Sequence, residues 1–195
     1  MTSSETGPDL RSRLIDVGVD LVTREGAHAL TLREIARRAG VSHGAPRRYF
    51  PTHLELLSAI ARRGFADLGD RAAAAIDDGT ASPRAQLATL GRVYLEFALG
   101  NPGMYELMFR HDLLESGHLG LRDTSLPLFG ALVELVGRAR PDADARAVAG
   151  ALWANLHGVA QLWAWGSLQL ATGADDFAPL LRTVVDAHLG PAAAR

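Results

Sequence analysis

TLREIARRAGVSHGAPRRYF, residues 31–50, is the stretch whose reading decides the fold of this chain. Thr31 stands directly before an apolar-periodic run, and Glu34 follows at the Thr-x-x-Glu spacing of a capping box, in which each side chain satisfies a backbone N–H of the other residue. Leu30 and Ile35 fall where a hydrophobic staple closes the same helix start. The helix beginning at Thr31 carries Leu32, Ile35, Ala36 and Ala39 on one face and Arg33, Arg37 and Arg38 largely on another. Gly40 supplies the left-handed residue that ends it. Val41 gives the turn an inward apolar residue, and Ser42 caps a second short helix expected over about residues 43–49.

A helix, a tight turn and a second helix form a device for reading DNA, in which the first residues of the second helix enter the major groove. The small residues Gly44 and Ala45 let the backbone approach a duplex, and Arg47 and Arg48 bring planar, permanently charged donors to phosphates or guanine edges. Pro46 removes one N–H and restrains Ala45. It is tolerated only in or beside the first helical turn, where N–H groups are mostly unused.

Working outward, Leu10, Leu14, Val17 and Leu21 recur at helical spacing over residues 9–25 and Gly26 ends the run, giving a supporting helix behind the reading pair. After Phe50 and Pro51, Thr52 caps a long helix with Leu54, Leu57, Ala61, Phe65 and Leu68 in an apolar stripe reaching about Ile76. The element over residues 31–50, preceded by such a helix and followed by FPTHLELLSAI, resembles the TetR family of transcriptional regulators. The likeness lies in the Thr at the helix start, the Ile-Ala pair, the Ala-Gly-Val-Ser turn, the Gly two residues on and the Tyr-Phe close, and it extends over residues 9–60. It implies an operator-binding head over residues 1–53 and a ligand-binding and dimerisation body over residues 54–195. Two positions depart from the family pattern. Arg47 stands where an aromatic residue is usual and His53 where a Lys is usual, which implies a rearranged phosphate clamp, with Arg47 clamping and His53 charged only at lower pH.

The whole chain is 195 residues long, 48% hydrophobic and of net charge −2, long enough for a full core and too apolar to be itself a disordered tail, although residues 1–8 are polar and expected to be loose. The charge is uneven. Residues 31–63 hold 7 Arg against Glu34 and Glu55, a local excess of +5, whereas residues 64–195 hold 10 Arg and 15 acids, or −5. A basic head on an acidic body suits a DNA reader with a separate second function, because phosphate attraction is screened within about 8 Å in physiological salt. There is no Cys, which excludes disulfides, thiolate zinc sites and a thiol nucleophile. The N-terminus has no signal-peptide core and no apolar run reaches membrane-spanning length, so the expectation is a soluble, cytoplasmic protein with no membrane partner.

Beyond the head, residues 77–83 read as a loop, with Ser82 and Pro83 opening a helix to about Leu99. Gly100, Asn101 and Pro102 break the chain, the short apolar piece GMYELMF follows, and residues 115–124 are loop-like. Further helices are expected over about 125–140, 142–170 and 177–189. No stretch alternates with period two, so an all-α fold is expected: a three-helix helix-turn-helix head joined by the long helix to the helical body. That joining helix offers a route by which a tilt at one end moves the other.

Two faces of the 142–170 helix carry the second function. Ala147, Ala151, Ala154 and Gly158 form a small-residue stripe which, with Leu180, Leu181, Val184, Val185 and Leu189 of the last helix, could build half of a four-helix interface with a second copy. A dimer would space two reading helices about one DNA turn apart. The other face carries Trp153, His157 and Gln161 at i, i+4 and i+8, with Trp165 a turn on. The words LWANLHGVAQLW and FALGNPGMYELMF also resemble a TetR-family ligand-domain subgroup marked by a Trp and then a His-Gly pair. Together with Tyr94, Phe97, Met104, Tyr105, Met108, Phe109 and Phe129, this face is a candidate lining for a mostly apolar small-molecule cavity. An aromatic and Met stripe at this spacing also serves as plain core, and a lone His as a satisfied core histidine.

His111, Glu115 and His118 have metal-ligand spacing, but Gly117 and Gly120 argue against a rigid site, and no metal or cofactor is expected. The acid pairs Asp77 with Asp78 and Asp175 with Asp176 lie in turns and suit helix capping better than catalysis. There is no phosphate loop and no Gly-x-Ser-x-Gly turn, so no enzyme is expected. The reading is a one-component regulator, a repressor, that binds operator DNA as a homodimer through its last two helices and is released by a small apolar effector. Thr31, Ser42, Arg47, Tyr49 and His53 are assigned to phosphates and His43, Gly44 and Arg48 to base edges, with Arg33 and Ala45 on the same surface. The alternative is a helical ligand-binding protein or enzyme whose head no longer binds DNA.

Overall fold

Thr31 opens its helix as the capping pattern predicts: in the computed structural model its Oγ1 accepts from the Glu34 N–H at 3.1 Å and the helix α2 runs Leu32–Arg38. The structure describes residues 8–76, 81–115 and 120–190. The capping box is not reciprocal, because the Glu34 carboxylate is spent on Arg37 and Arg38, and the Thr31 N–H goes to the Ala29 carbonyl instead. At the far end Gly40 adopts φ +67°, its N–H bonds the Arg37 carbonyl, and Val41 bonds Ala36 at 3.0 Å. These paired bonds satisfy carbonyls that a helix end leaves open, which is why Gly at this position stops the helix cleanly.

The second helix of the pair is corrected by the structure. Residues 43–45 form turns and only Pro46–Arg48 are helical, as a 3-10 turn. With Ser42 as the cap, the first intrahelical bond would run from residue 46 to the Ser42 carbonyl, and Pro46 has no N–H to give. Ala45 bonds that carbonyl at 3.0 Å instead, which tightens the chain.

Around this element, α1 is Pro8–Glu25 and α3 is His53–Ala75, the latter capped by Thr52 Oγ1 accepting from Glu55 at 3.2 Å. There follow α4 (Pro83–Gly100), α5 (Pro102–Met108), α6 (His111–Glu115), α7 (Leu121–Ala139), α8 (Ala145–Ala164), α9 (Ser167–Thr172) and α10 (Ala178–Leu189). Among the described residues there is no strand, and the chain is all-α as expected. Two further elements differ from the sequence reading. Residues 121–124, read as loop, already belong to α7, which tolerates Pro127 within it. The long helix expected over 142–170 starts at the Asp144 cap, whose carboxylate accepts from Arg146 and Ala147, and breaks at Gly166, φ +73°, before α9. Of the loop read over 77–83, residues 77–80 lie outside those described, and Ser82 Oγ caps α4 by accepting from Ala85 at 3.2 Å.

The chain divides into two compact units, Met1–Ala66 with Asn101–Ser125, and Asp67–Gly100 with Leu126–Arg195. In the first, Leu14, Leu21, Val22, Ile35, Phe50, Leu57 and Ile60 are buried. Gly103 lets α5 lie on the end of α1, since a Cβ there would stand 2.5 Å from the Val22 carbonyl. In the second, α4, α8 and α10 pack together through Leu87, Leu95, Leu152, Leu156, Leu181 and Val185. No described helix is long and apolar enough to cross a membrane.

Candidate nucleic-acid interface and aromatic wall

The charges of α2 are not equivalent. Glu34 sits three residues before Arg37 and four before Arg38, the spacings at which side chains meet on a helix. Arg37 Nη2 lies 2.6 Å and Arg38 Nε 2.7 Å from its carboxylate, and Arg38 also pairs with Glu25. These hydrogen bonds, Arg37 first, pull the Glu34 carboxyl down to about 2. Arg37 and Arg38 therefore form a network across the back of α2. By contrast Arg33, Arg47 and Arg48 are exposed and have no carboxylate partner among the described residues. Glu34 is already subtracted in the +5 counted in the sequence; Glu25 and Asp16, outside that stretch, pair with Arg38 and Arg63, whereas Arg33, Arg47 and Arg48 face water.

The remaining head residues fall on the same segment. Thr31, Ser42, His43 and Gly44 are exposed, and Ala45 and Tyr49 are half-buried. A Cβ on Gly44 would meet nothing within 4 Å, so the backbone here is open to an approaching surface. Pro46 and Phe50 are buried and anchor the two ends of the turn that presents Arg47 and Arg48. His53 is half-buried, and its Nε2 lies 2.7 Å from the Leu30 carbonyl. A carbonyl only accepts, so that nitrogen donates, and the ring ties the start of α3 to the residue before α2. Arg11 in α1, which the sequence did not single out, holds its guanidinium carbon 5.1 Å from the centre of the Phe50 ring. Nothing local marks that pair, because 39 residues separate its members.

The aromatic residues read as a cavity lining divide between the two units. In the first, Tyr105 and Met108 are buried and Phe109 is half-buried. The Phe109 ring meets Phe65 edge-on at 5.6 Å and Tyr105 at 4.9 Å, while the Met104 and Met108 sulfurs fill the space over Gly64. In the second unit Phe97 is buried with the Arg71 guanidinium 5.5 Å from its ring centre. Tyr94 Oη lies 2.9 Å from His157 Nδ1; Trp153 stands 6.3 Å from the His157 ring and 6.1 Å from Phe129. Burial lowers the His157 pKa, which favours the neutral ring, and its Nδ1 shares a hydrogen bond with the Tyr94 hydroxyl. Gln161 is half-buried one turn on, and Trp165 is 69% exposed.

On α8 the buried residues Ala149, Leu152, Leu156 and Ala160 define one face. At 3.6 residues per turn, Ala147, Ala151, Ala154, Gly158 and Trp165 fall on the opposite face. Gly158 is half-buried and the other four are exposed. On α10, Leu181, Val184, Val185 and Leu189 point inward to the unit's own core, which corrects their reading as part of an interface with a second copy. Leu180, Thr183 and Ala187 remain on its outer side. His111 Nε2 and Glu115 stand 3.4 Å apart on an exposed turn, and His118 lies outside the described residues. Asp176 accepts from the Ala178 N–H at the start of α10, a capping role, as its place in a turn suggests.

Two family profiles match this sequence. "Bacterial regulatory proteins, tetR family" covers residues 14–60, and "Tetracyclin repressor-like, C-terminal domain" covers residues 87–187. The HTH-type transcriptional regulator BetI of Klebsiella pneumoniae (strain 342) is 37% identical over 100 residues, 50% of this chain. The chain spans about half of that relative's length, 51%. Among solved structures, a protein with unknown function from Rhodococcus sp. RHA1 superposes with TM-score 0.73 at 26% identity, covering 96% of this chain and 97% of that one. The multidrug binding protein EbrR, solved with imidazole, superposes with TM-score 0.66 at 25% identity over 96% of this chain and 94% of its own.

Proposed function

The chain belongs to the tetR family of bacterial regulatory proteins, and on that premise we propose that it is a one-component transcriptional repressor that binds operator DNA as a homodimer and is released by a small, mostly apolar effector. The observation that carries the reading is the separation of charges in the head. Arg37 and Arg38 are held by Glu34, whereas Arg33, Arg47 and Arg48 are exposed without a carboxylate partner among the described residues. An unpaired guanidinium on a small-residue turn suits a phosphate or a guanine edge, not the stability of the turn. Residues 1–53 act as the head. Thr31, Ser42, Arg47 and Tyr49 address phosphates, and His43, Gly44 and Arg48 the base edges, with Arg33 and Ala45 flanking them. His53 positions the segment through Leu30 and reaches a phosphate only with its second nitrogen.

Residues 54–195 act as the body. The effector wall is drawn from Tyr94, Phe129, Trp153, His157 and Gln161, an aromatic surface with one hydroxyl, one neutral imidazole and one amide. Such a surface selects a neutral, largely apolar molecule with one or two hydrogen-bonding groups. EbrR, similar in fold and at 25% identity, is described as a multidrug binding protein, which supports a ligand role for this half. The outward stripe of α8 with the outer side of α10 is the dimer face, since an exposed apolar face opposite a buried one leaves a helix half-covered. The proposed regulator is expected in the cytoplasm and is not an enzyme.

The test is fluorescence anisotropy against DNA flanking the protein's own coding sequence, with an unrelated duplex as competitor. Preference for the flanking DNA, abolished in Arg47→Ala with Arg48→Ala, is the expected result. Equal weak binding to both duplexes, unchanged in the double variant, would reject it. One observation favours a second reading, a helical ligand-binding protein whose head has lost DNA: Pro46 leaves the reading helix as a short 3-10 turn. Tight small-molecule binding without duplex affinity at low salt would select that reading.

A further inference from the structure

We propose that Arg11, on the first turns of α1, is an additional phosphate contact of the head. The inference rests on the DNA-binding reading above. His53 stands at the start of α3, where the resemblance leads one to expect a Lys, but its Nε2 is engaged by the Leu30 carbonyl. Arg11 is exposed and has no carboxylate partner among the described residues. Its guanidinium lies over the Phe50 ring, 5.1 Å from the centroid, and Phe50 directly follows Arg47, Arg48 and Tyr49. A cation over the ring face keeps its N–H donors for an acceptor outside the protein. The other exposed arginine of α1, Arg24, is paired with Asp20 at 2.6 Å, so exposure on this helix does not by itself leave an arginine unpaired. The stability of α1 does not account for Arg11 either, since a cation in a first turn is opposed by the helix dipole.

A phosphate contact carries no sequence information, so its loss should weaken binding alike on operator and unrelated duplexes. Anisotropy titrations of the full-length protein between about 50 and 300 mM salt, with labelled flanking DNA and an unrelated duplex, read this directly. Arg11→Met keeps a long apolar cover on Phe50 and removes the charge. It should lower affinity several-fold on both duplexes and reduce the slope of log K against log salt by about 0.9, the value of one released counterion. Arg11→Lys should restore the slope. An unchanged slope in Arg11→Met, with or without a lower melting temperature, would show that Arg11 only covers Phe50 and would overturn the inference while the DNA-binding reading stands. A changed preference between duplexes at constant slope would also overturn it. If the wild-type protein binds neither duplex at the lowest salt, the DNA-binding reading falls and this inference falls with it.

Discussion

At the residue scale, the informative side chains are those whose partners decide what they can still do. Glu34 shows this in the head: the spacing to Arg37 and Arg38 was legible, but a charge count treats those two as available and the geometry does not. His157 shows it in the second unit. Burial lowers its pKa from the ordinary 6.5, so in the folded protein the imidazole stays neutral where the unfolded chain has begun to take up a proton. Between pH 6.5 and that lower folded value the unfolded state binds more protons, and stability therefore falls as pH drops through this window and is fully present above it. Ring resonances of His157 in heteronuclear NMR should titrate with a midpoint below 6.5. A midpoint at or above 6.5 would contradict the assignment. Tyr94→Phe removes the hydroxyl that is hydrogen-bonded to Nδ1 and should cost about 1 kcal/mol in denaturant unfolding.

At the scale of elements, local chemistry made the starts and stops legible where one residue suffices. Thr31, Thr52 and Ser82 cap as their types and positions indicate, and Gly40 closes α2 through a left-handed conformation that other residues avoid. Two breaks were missed because they depend on counting bonds and on backbone conformation, not on residue preference. Pro46 falls at the fourth helical position after Ser42, where the first internal N–H is required, and Gly166 takes the left-handed conformation that divides α8 from α9. The division of the aromatic residues between two units was also hidden, since helical spacing records which residues share a face and not what that face meets. Close approach of elements is equally non-local. Gly103 admits the Val22 carbonyl at a distance no Cβ tolerates, and that carbonyl already accepts from Gly26 at 3.0 Å. Gly103→Ala should therefore destabilise the protein by about 1–3 kcal/mol in denaturant unfolding, as overpacking does. Gly130→Ala, on α7 with nothing within 4 Å of the added Cβ, should stabilise it by about 0.5–1 kcal/mol through lost backbone freedom in the unfolded chain. Equal effects of the two would mean that α5 does not seat backbone to backbone on α1.

For the whole molecule, the question is why α8 is apolar on two opposite faces. One face, Ala149, Leu152, Leu156 and Ala160, is covered by the chain's own α4 and α10. The other, Ala147, Ala151, Ala154 and Gly158, ends in Trp165 at 69% exposure, with Leu162 at 39% beside it. Small residues followed by a large exposed aromatic let two helices approach closely at one end and interlock at the other, and a two-fold axis would pair the stripe with itself. The acidic balance of residues 64–195 would oppose such self-association if it lay on this face, but the stripe carries no charge. Ala154→Glu places a carboxylate on it, and symmetry doubles the insult by setting that carboxylate near its own copy. Because Ala154 is exposed in the single chain, the fold should survive, with an unchanged circular dichroism spectrum. Sedimentation velocity should then show the monomer mass of 20.8 kDa in place of a dimer. Duplex affinity should drop by at least about tenfold as two half-site contacts become one. A variant that keeps the wild-type mass and affinity would move the dimer face off α8 and leave the exposed Trp165 to some other partner.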